Sequence, residues 1–261
     1  MRTLGAVFMA LTLAAAAQAE IKTKAIDYKH GDVVLEGYMV WDDARKGPQP
    51  GVLLVHEWWG VTEHTKSMTR QVAEMGYVAF ALDMYGKDVV TDSVDQAGKL
   101  AGQFKGNPAL MRDRAKAGFD EFTKQPEVDK SRVAAIGFCF GGTTVLNMAY
   151  SGLALRGVVS FHGGLVPPMD ADRGNVKAKI LVLHGADDPL VPDVAIKTFQ
   201  DGVRKAKADW QMVYYGNAVH SFTNPAADKV GIDGVKYDAA TDKRSRGHIK
   251  VFFDEVLAKT K

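Results

Sequence analysis

The sequence predicts an α/β fold: a single domain built on one mostly parallel sheet with helices on both faces. Three observations carry this. Short continuous apolar runs recur, among them Val52–Val55, Tyr77–Leu82 and Ile180–Leu183, and each is too apolar to leave a face in water. Helix-forming stretches separate them, so β and α alternate along the chain. Glycine, acidic and aromatic residues gather just after the run ends, where an open α/β sheet places its ligand site.

In order, Val33-Val34-Leu35 and Gly37-Tyr38-Met39-Val40 read as two edge strands of a hairpin-like start. Residues 42–50, rich in charge, Gly and Pro, form a loop. The strand Gly51–Val55 ends at His56-Glu57-Trp58-Trp59-Gly60, and Thr62 caps a helix to Glu74. The strand Tyr77–Leu82 runs into Asp83-Met84-Tyr85-Gly86-Lys87. A helical region, Asp92–Lys124, is broken at Gly106-Asn107-Pro108. Strands follow at Arg132–Phe138, Gly157–Phe161, Ile180–His184 and Gln211–Tyr215. Helices are expected at Thr143–Tyr150, Val194–Ala208 and Ala239–Leu257.

Residues 1–19 stand apart. Arg2 precedes an apolar or small run, Leu4–Ala17, and Ala17-Gln18-Ala19 fits a small-x-small cleavage site. The run is short for a membrane span. The expectation is a signal peptide over 1–19, a mature domain over 20–261, an exported and periplasmic location, and no membrane span after cleavage. With 33 Lys and Arg against 31 Asp and Glu, the charge balance gives no footprint for nucleic acid. A monomer or small homo-oligomer is expected.

The chain has one cysteine, so no internal disulfide framework exists. A lone thiol in apolar surroundings is ordinarily inert packing, and in an oxidising compartment it can also join two chains. The flanking glycines of Gly137-Phe138-Cys139-Phe140-Gly141-Gly142 favour a functional thiol, because a core cysteine does not need them. A strand, a sharp glycine-flanked turn and a helix start make a nucleophile elbow, with sulfur in place of the usual hydroxyl. The helix N-terminus favours thiolate and oxyanion charge, and the Phe140 N–H is a candidate oxyanion donor.

A thiol nucleophile needs a base, and the base an orienting acid. The chain order nucleophile, acid, histidine selects Cys139, Asp188 and His220, with Asp187 as the neighbouring alternative to Asp188. His184 reads as a loop-orienting residue. Glu57, ending the strand expected beside the elbow strand, could take or hold the thiol proton, and burial would raise its pKa. The Trp58 N–H is a second oxyanion donor, and Trp58, Trp59 and Phe140 could wall an apolar pocket. The histidines are scattered without tight ligand spacing, so no metal is expected. No G-x-G-x-x-G pattern calls for a dinucleotide, and no cofactor is expected.

Taken together, His56–Gly60, Asp83-Met84-Tyr85, Gly137–Gly142, the run His184–Pro192 and His220-Ser221-Phe222 resemble the dienelactone hydrolase family. The resemblance implies an α/β-hydrolase fold and a Cys139–Asp188–His220 triad. It implies Glu57 in contact with the resting thiol, an oxyanion hole from Trp58 and Phe140, and Trp59, Tyr85 and Lys87 as substrate-binding residues. Lys87 stands near the position where that family carries a carboxylate-binding arginine, and the segment after His220 supplies none. The activity implied is hydrolysis of a small-molecule ester or lactone through a thioester, as in carboxymethylenebutenolidase. The alternative is an exported non-catalytic binding protein on the same framework.

Overall fold

The computed structural model describes residues 20–259. The signal-peptide assignment lies outside them. Eight strands form one sheet: β1 (Ile21–His30), β2 (Val33–Asp42), β3 (Gln49–Val55), β4 (Val78–Leu82), β5 (Val128–Phe138), β6 (Gly157–Phe161), β7 (Lys179–Gly185) and β8 (Trp210–Tyr215). Their order is β1-β2-β4-β3-β5-β6-β7-β8, antiparallel at β1–β2 and β2–β4 and parallel from β4 to β8. Six helices connect them: α1 (Glu63–Glu74), α2 (Val94–Lys105), α3 (Pro108–Phe122), α4 (Phe140–Tyr150), α5 (Asp193–Lys205) and α6 (Ala239–Val256).

The two faces of the sheet have separate cores, which follows from the two-residue side-chain period of a strand. In β3, Leu53 and Val55 pack with α3 and α4 residues such as Phe122 and Leu146, whereas Val52 and Leu54 pack with Met68 and Val72 of α1 and Phe253 of α6. All four β3 side chains are essentially fully buried. Each such burial is worth about 1.5–3 kcal/mol before the entropy of ordering is set against it. Among the described residues, no helix is long and apolar enough to cross a membrane.

One local difference from expectation has a simple cause. The two short strands read at 33–35 and 37–40 are one strand, paired along its whole length with Ile21–His30. Glu36 does not interrupt it, because its side chain leaves the sheet to meet Lys87. The break at 106–108 is real: Gly106 ends α2, and Asn107 caps α3 with Pro108 in the first turn, where its missing N–H costs nothing.

Candidate active site

The elbow is built by contact distances that only glycine permits. A Cβ on Gly137 would lie 2.0 Å from the Gly141 carbonyl oxygen, and one on Gly141 would lie 2.2 Å from the Val55 carbonyl oxygen. The turn between them puts Cys139 at φ 52° and ψ −113°. That left-handed conformation costs on the order of 1–3 kcal/mol in a non-glycine residue and is held here by its surroundings. The Cys139 N–H donates to the Phe161 carbonyl at 3.0 Å. The thiol is free and half-buried at the start of α4. The N–H groups of Phe140 and Trp58 make no hydrogen bond among the described residues.

His220 sits beyond β8, fixed by its N–H to the Gly234 carbonyl and by Lys236 N–H donating to its own carbonyl. Its Nδ1 lies 2.8 Å from Asp188 Oδ2. The other Asp188 oxygen accepts from the Leu190 N–H at 2.9 Å, so the carboxylate is aimed from both ends. Asp187 is exposed and has no bond to His220. Burial is the largest influence on His220 and pulls its pKa down. The Cys139 sulfur and the Asp188 carboxylate outweigh it and push it up to about 10. His184, at the end of β7, is buried, and among the described residues its Nδ1 has no hydrogen-bond partner.

Glu57 is buried beside this pair. Its carboxylate takes hydrogen bonds from Asn224 Nδ2 at 2.6 Å and from Ser221 Oγ at 3.4 Å, and among the described residues it makes none to Cys139. Burial raises its pKa, against the lowering pull of Asn224, the His220 charge and Ser221. The hydrogen bonds of Glu57 thus go to the turn that follows His220.

A cavity of about 160 Å³ opens onto Cys139 and His220. Its walls include Trp58, Trp59, Phe140, Val191, Val230 and Ile232. Tyr85 lies underneath, with its hydroxyl donating to the Trp58 carbonyl at 3.1 Å and its ring 5.6 Å from that of Phe140. Lys87 is elsewhere. It pairs with Asp27 at 2.8 Å and Glu36 at 3.1 Å, because the chain turns at Gly86 (φ 145°) towards the β1–β2 hairpin. The cation that does line the cavity is Lys105, at the end of α2, which makes no ion pair among the described residues.

Comparison with known proteins places this arrangement. The model of the dienelactone hydrolase family matches residues 35–257. This chain belongs to the dienelactone hydrolase family. Its similarity extends to a solved dienelactone hydrolase-like promiscuous phosphotriesterase from metagenomic libraries, at 44% identity and a TM-score of 0.88, over 92% of this chain and all of that one. A "Putative carboxymethylenebutenolidase" of Methylorubrum extorquens is 28% identical over 79% of this chain and 77% of its own length. The Usf protein of Aquifex pyrophilus is 29% identical over 89% of this chain and 98% of its own length. As a dienelactone hydrolase family member the chain is a hydrolase with the α/β-hydrolase fold.

Within this dienelactone hydrolase family framework, two buried histidines carry contacts that no motif announced. His56 accepts from the Met84 N–H at 3.2 Å, contacts the Glu57 carbonyl through Nδ1, and stacks on Phe140. His162 accepts from the Cys139 N–H at 3.2 Å and meets Thr223 Oγ1 at 2.8 Å. Both follow a strand end directly, and that position was the available signal. Among the described residues, no group of His, Cys, Asp and Glu is arranged to hold a metal ion.

Proposed function

We propose that this hydrolase cleaves carboxylic esters or lactones with Cys139 as nucleophile. One observation carries the reading: a free thiol at a strained elbow shares a cavity with the His220–Asp188 pair and with two unpartnered N–H groups. His220 takes the thiol proton, and the thiolate attacks the carbonyl carbon. The N–H groups of Trp58 and Phe140 receive the oxyanion, a contribution worth about 3–4 kcal/mol per donor in related chemistry. The C–O bond breaks, the leaving alkoxide takes the proton from His220, and a thioester remains. Water then gives a proton to His220 and its oxygen to the acyl carbon. The thiolate leaves and is reprotonated. Asp188 orients the imidazole and stabilises its charged form.

The walls favour an apolar acyl or alcohol group, with Lys105 the cation available to a substrate carboxylate. Glu57 braces the Ser221–Asn224 turn. The phosphotriesterase relative supports a second substrate class in the same cavity. Thiolate attack on a neutral aryl phosphotriester would form an S–P bond and expel the phenol with the His220 proton. Cys139→Ala is the test. It should abolish turnover of p-nitrophenyl acetate and of an aryl dialkyl phosphate without unfolding, and wild type should gain the acyl mass on Cys139 under rapid quench. Full turnover by Cys139→Ala overturns the proposal. We further propose that residues 1–19 are a cleaved signal peptide and the protein is periplasmic, for which protein recovered from that compartment should begin at Glu20.

A further inference from the structure

We propose that His162 is a positioning residue for the Cys139–His220 pair, tying the elbow backbone to the turn that carries His220. The inference rests on the cysteine mechanism above. His162 is fully buried at the end of β6, and nothing in that mechanism uses it. Its own backbone is in the left-handed region, φ 36°, with its N–H donating to the Leu183 carbonyl at 2.9 Å. That unfavourable conformation delivers the ring to a place reached by both halves of the site.

The two ring nitrogens fix one protonation state. Nδ1 accepts from the Cys139 N–H at 3.2 Å, so it carries no proton. The proton is therefore on Nε2 and is donated to Thr223 Oγ1 at 2.8 Å. Thr223 lies three residues after His220, in the turn whose Ser221 and Asn224 hold Glu57. A single ring thus joins the nucleophile's backbone to the turn that carries its base. Protonation would set Nδ1–H against the Cys139 N–H, two donors face to face. It would also put a second cation beside His220, whose ring centroid is 5.3 Å away.

The surroundings oppose that protonation from every side. The titratable groups facing His162 are His220 from the following turn, His64 from α1, His184 from β7 and Cys139 from the elbow. Burial, then the nearby histidines, hold its pKa well below the usual value. His162 is thus held neutral, while His220 changes charge as it works. One is a fixed neutral strut, and the other is the group that moves the proton.

Thr223→Val tests the strut from its far end, with little change in volume and no change at His162. The readouts are the rate of Cys139 alkylation by iodoacetamide against pH, and kcat and KM for p-nitrophenyl acetate. Loosening the pairing weakens thiolate stabilisation. The alkylation profile should move up by about one pH unit, with the rate on its rising limb falling about tenfold. The kcat should fall by about the same factor while KM stays within about threefold. Thr223→Ser, which keeps the hydroxyl, should restore both to within about twofold of wild type.

A Thr223→Val profile that superimposes on wild type overturns the proposal, whatever the melting temperature does. So does an equal fall in Thr223→Ser. Should Thr223→Val fail to fold, His162→Leu reads the same link by removing the ring acceptor that the Cys139 N–H shares with the Phe161 carbonyl. An unshifted profile there is equally fatal. Failure of the underlying mechanism looks different, since Cys139→Ala would then turn over ester normally.

Discussion

Asp188→Asn removes a charge while preserving shape, and the hydrogen bonds around the side chain determine how His220 responds. In the native protein one Asp188 oxygen accepts from the Leu190 N–H at 2.9 Å and the other lies 2.8 Å from His220 Nδ1. An amide has one oxygen for these two donors. The Leu190 N–H cannot change role, so the amide oxygen stays there and its NH2 faces His220. Nδ1 must then accept, the proton moves to Nε2, and the imidazole presents a donor to Cys139 where a base is needed. Asp188 is one of the groups that hold the His220 pKa up against burial, so its neutralisation weakens the imidazolium. A hydrogen bond to a charged partner is worth about 1.5–3 kcal/mol, a factor of about 10–150 in rate, and the wrong tautomer can extend the loss towards 10⁴. The assay is kcat and KM on p-nitrophenyl acetate at pH 7, with thermal melting as the folding control. A kcat within threefold of wild type in a folded Asp188→Asn protein would refute the reasoning.

Other outcomes rest on the same geometry. Glu57→Gln should melt higher than wild type at neutral pH, because a carboxyl whose folded pKa is raised loses stability as pH climbs above its unfolded value of about 4.5. The gap should close below that pH, and melting curves that stay parallel from pH 4 to 8 would contradict it. Gly141→Ala forces a Cβ to 2.2 Å from the fixed Val55 carbonyl, so a cost of about 3 kcal/mol and a Tm lower by about 6 °C or more are expected by calorimetry. Lys105→Ala should raise KM about threefold or more for an ester ending in a carboxylate and leave a neutral ester unchanged, with the effect shrinking in high salt. Lys87→Ala, which disrupts only the pairs with Asp27 and Glu36, should leave both KM values alone.

The strands buried on both faces were legible because burial on two sides demands an unbroken apolar run, as in Leu53-Leu54-Val55. Strand β1 was not legible. It is an edge strand burying only Ile26 and Tyr28, so it has no continuous apolar run to announce it. The elbow was legible because its steric demands write glycines into the sequence. His220 and Asp188 were legible because chain order constrains them once the nucleophile is chosen. The cavity wall was not, since it is assembled by tertiary packing. Lys87 is two residues from Tyr85 yet leaves the site at Gly86, whereas Lys105 arrives at the cavity from the far end of a helix. His162 and Thr223 become partners only when the β6 end meets the turn after β8.

The glycine contacts of the elbow bear on how this site can change over time. The atoms that crowd positions 137 and 141 are backbone atoms, a carbonyl oxygen nearest in each case, which every residue possesses. No substitution elsewhere can clear that space, so neither position has a second-site suppressor among side chains. Cys139 is under no such restriction, since its side chain projects into the open cavity. The socket is therefore frozen while the atom it presents, the proposed nucleophile, is exchangeable. A lineage can trade sulfur for oxygen in a single mutational step and keep the surrounding backbone intact.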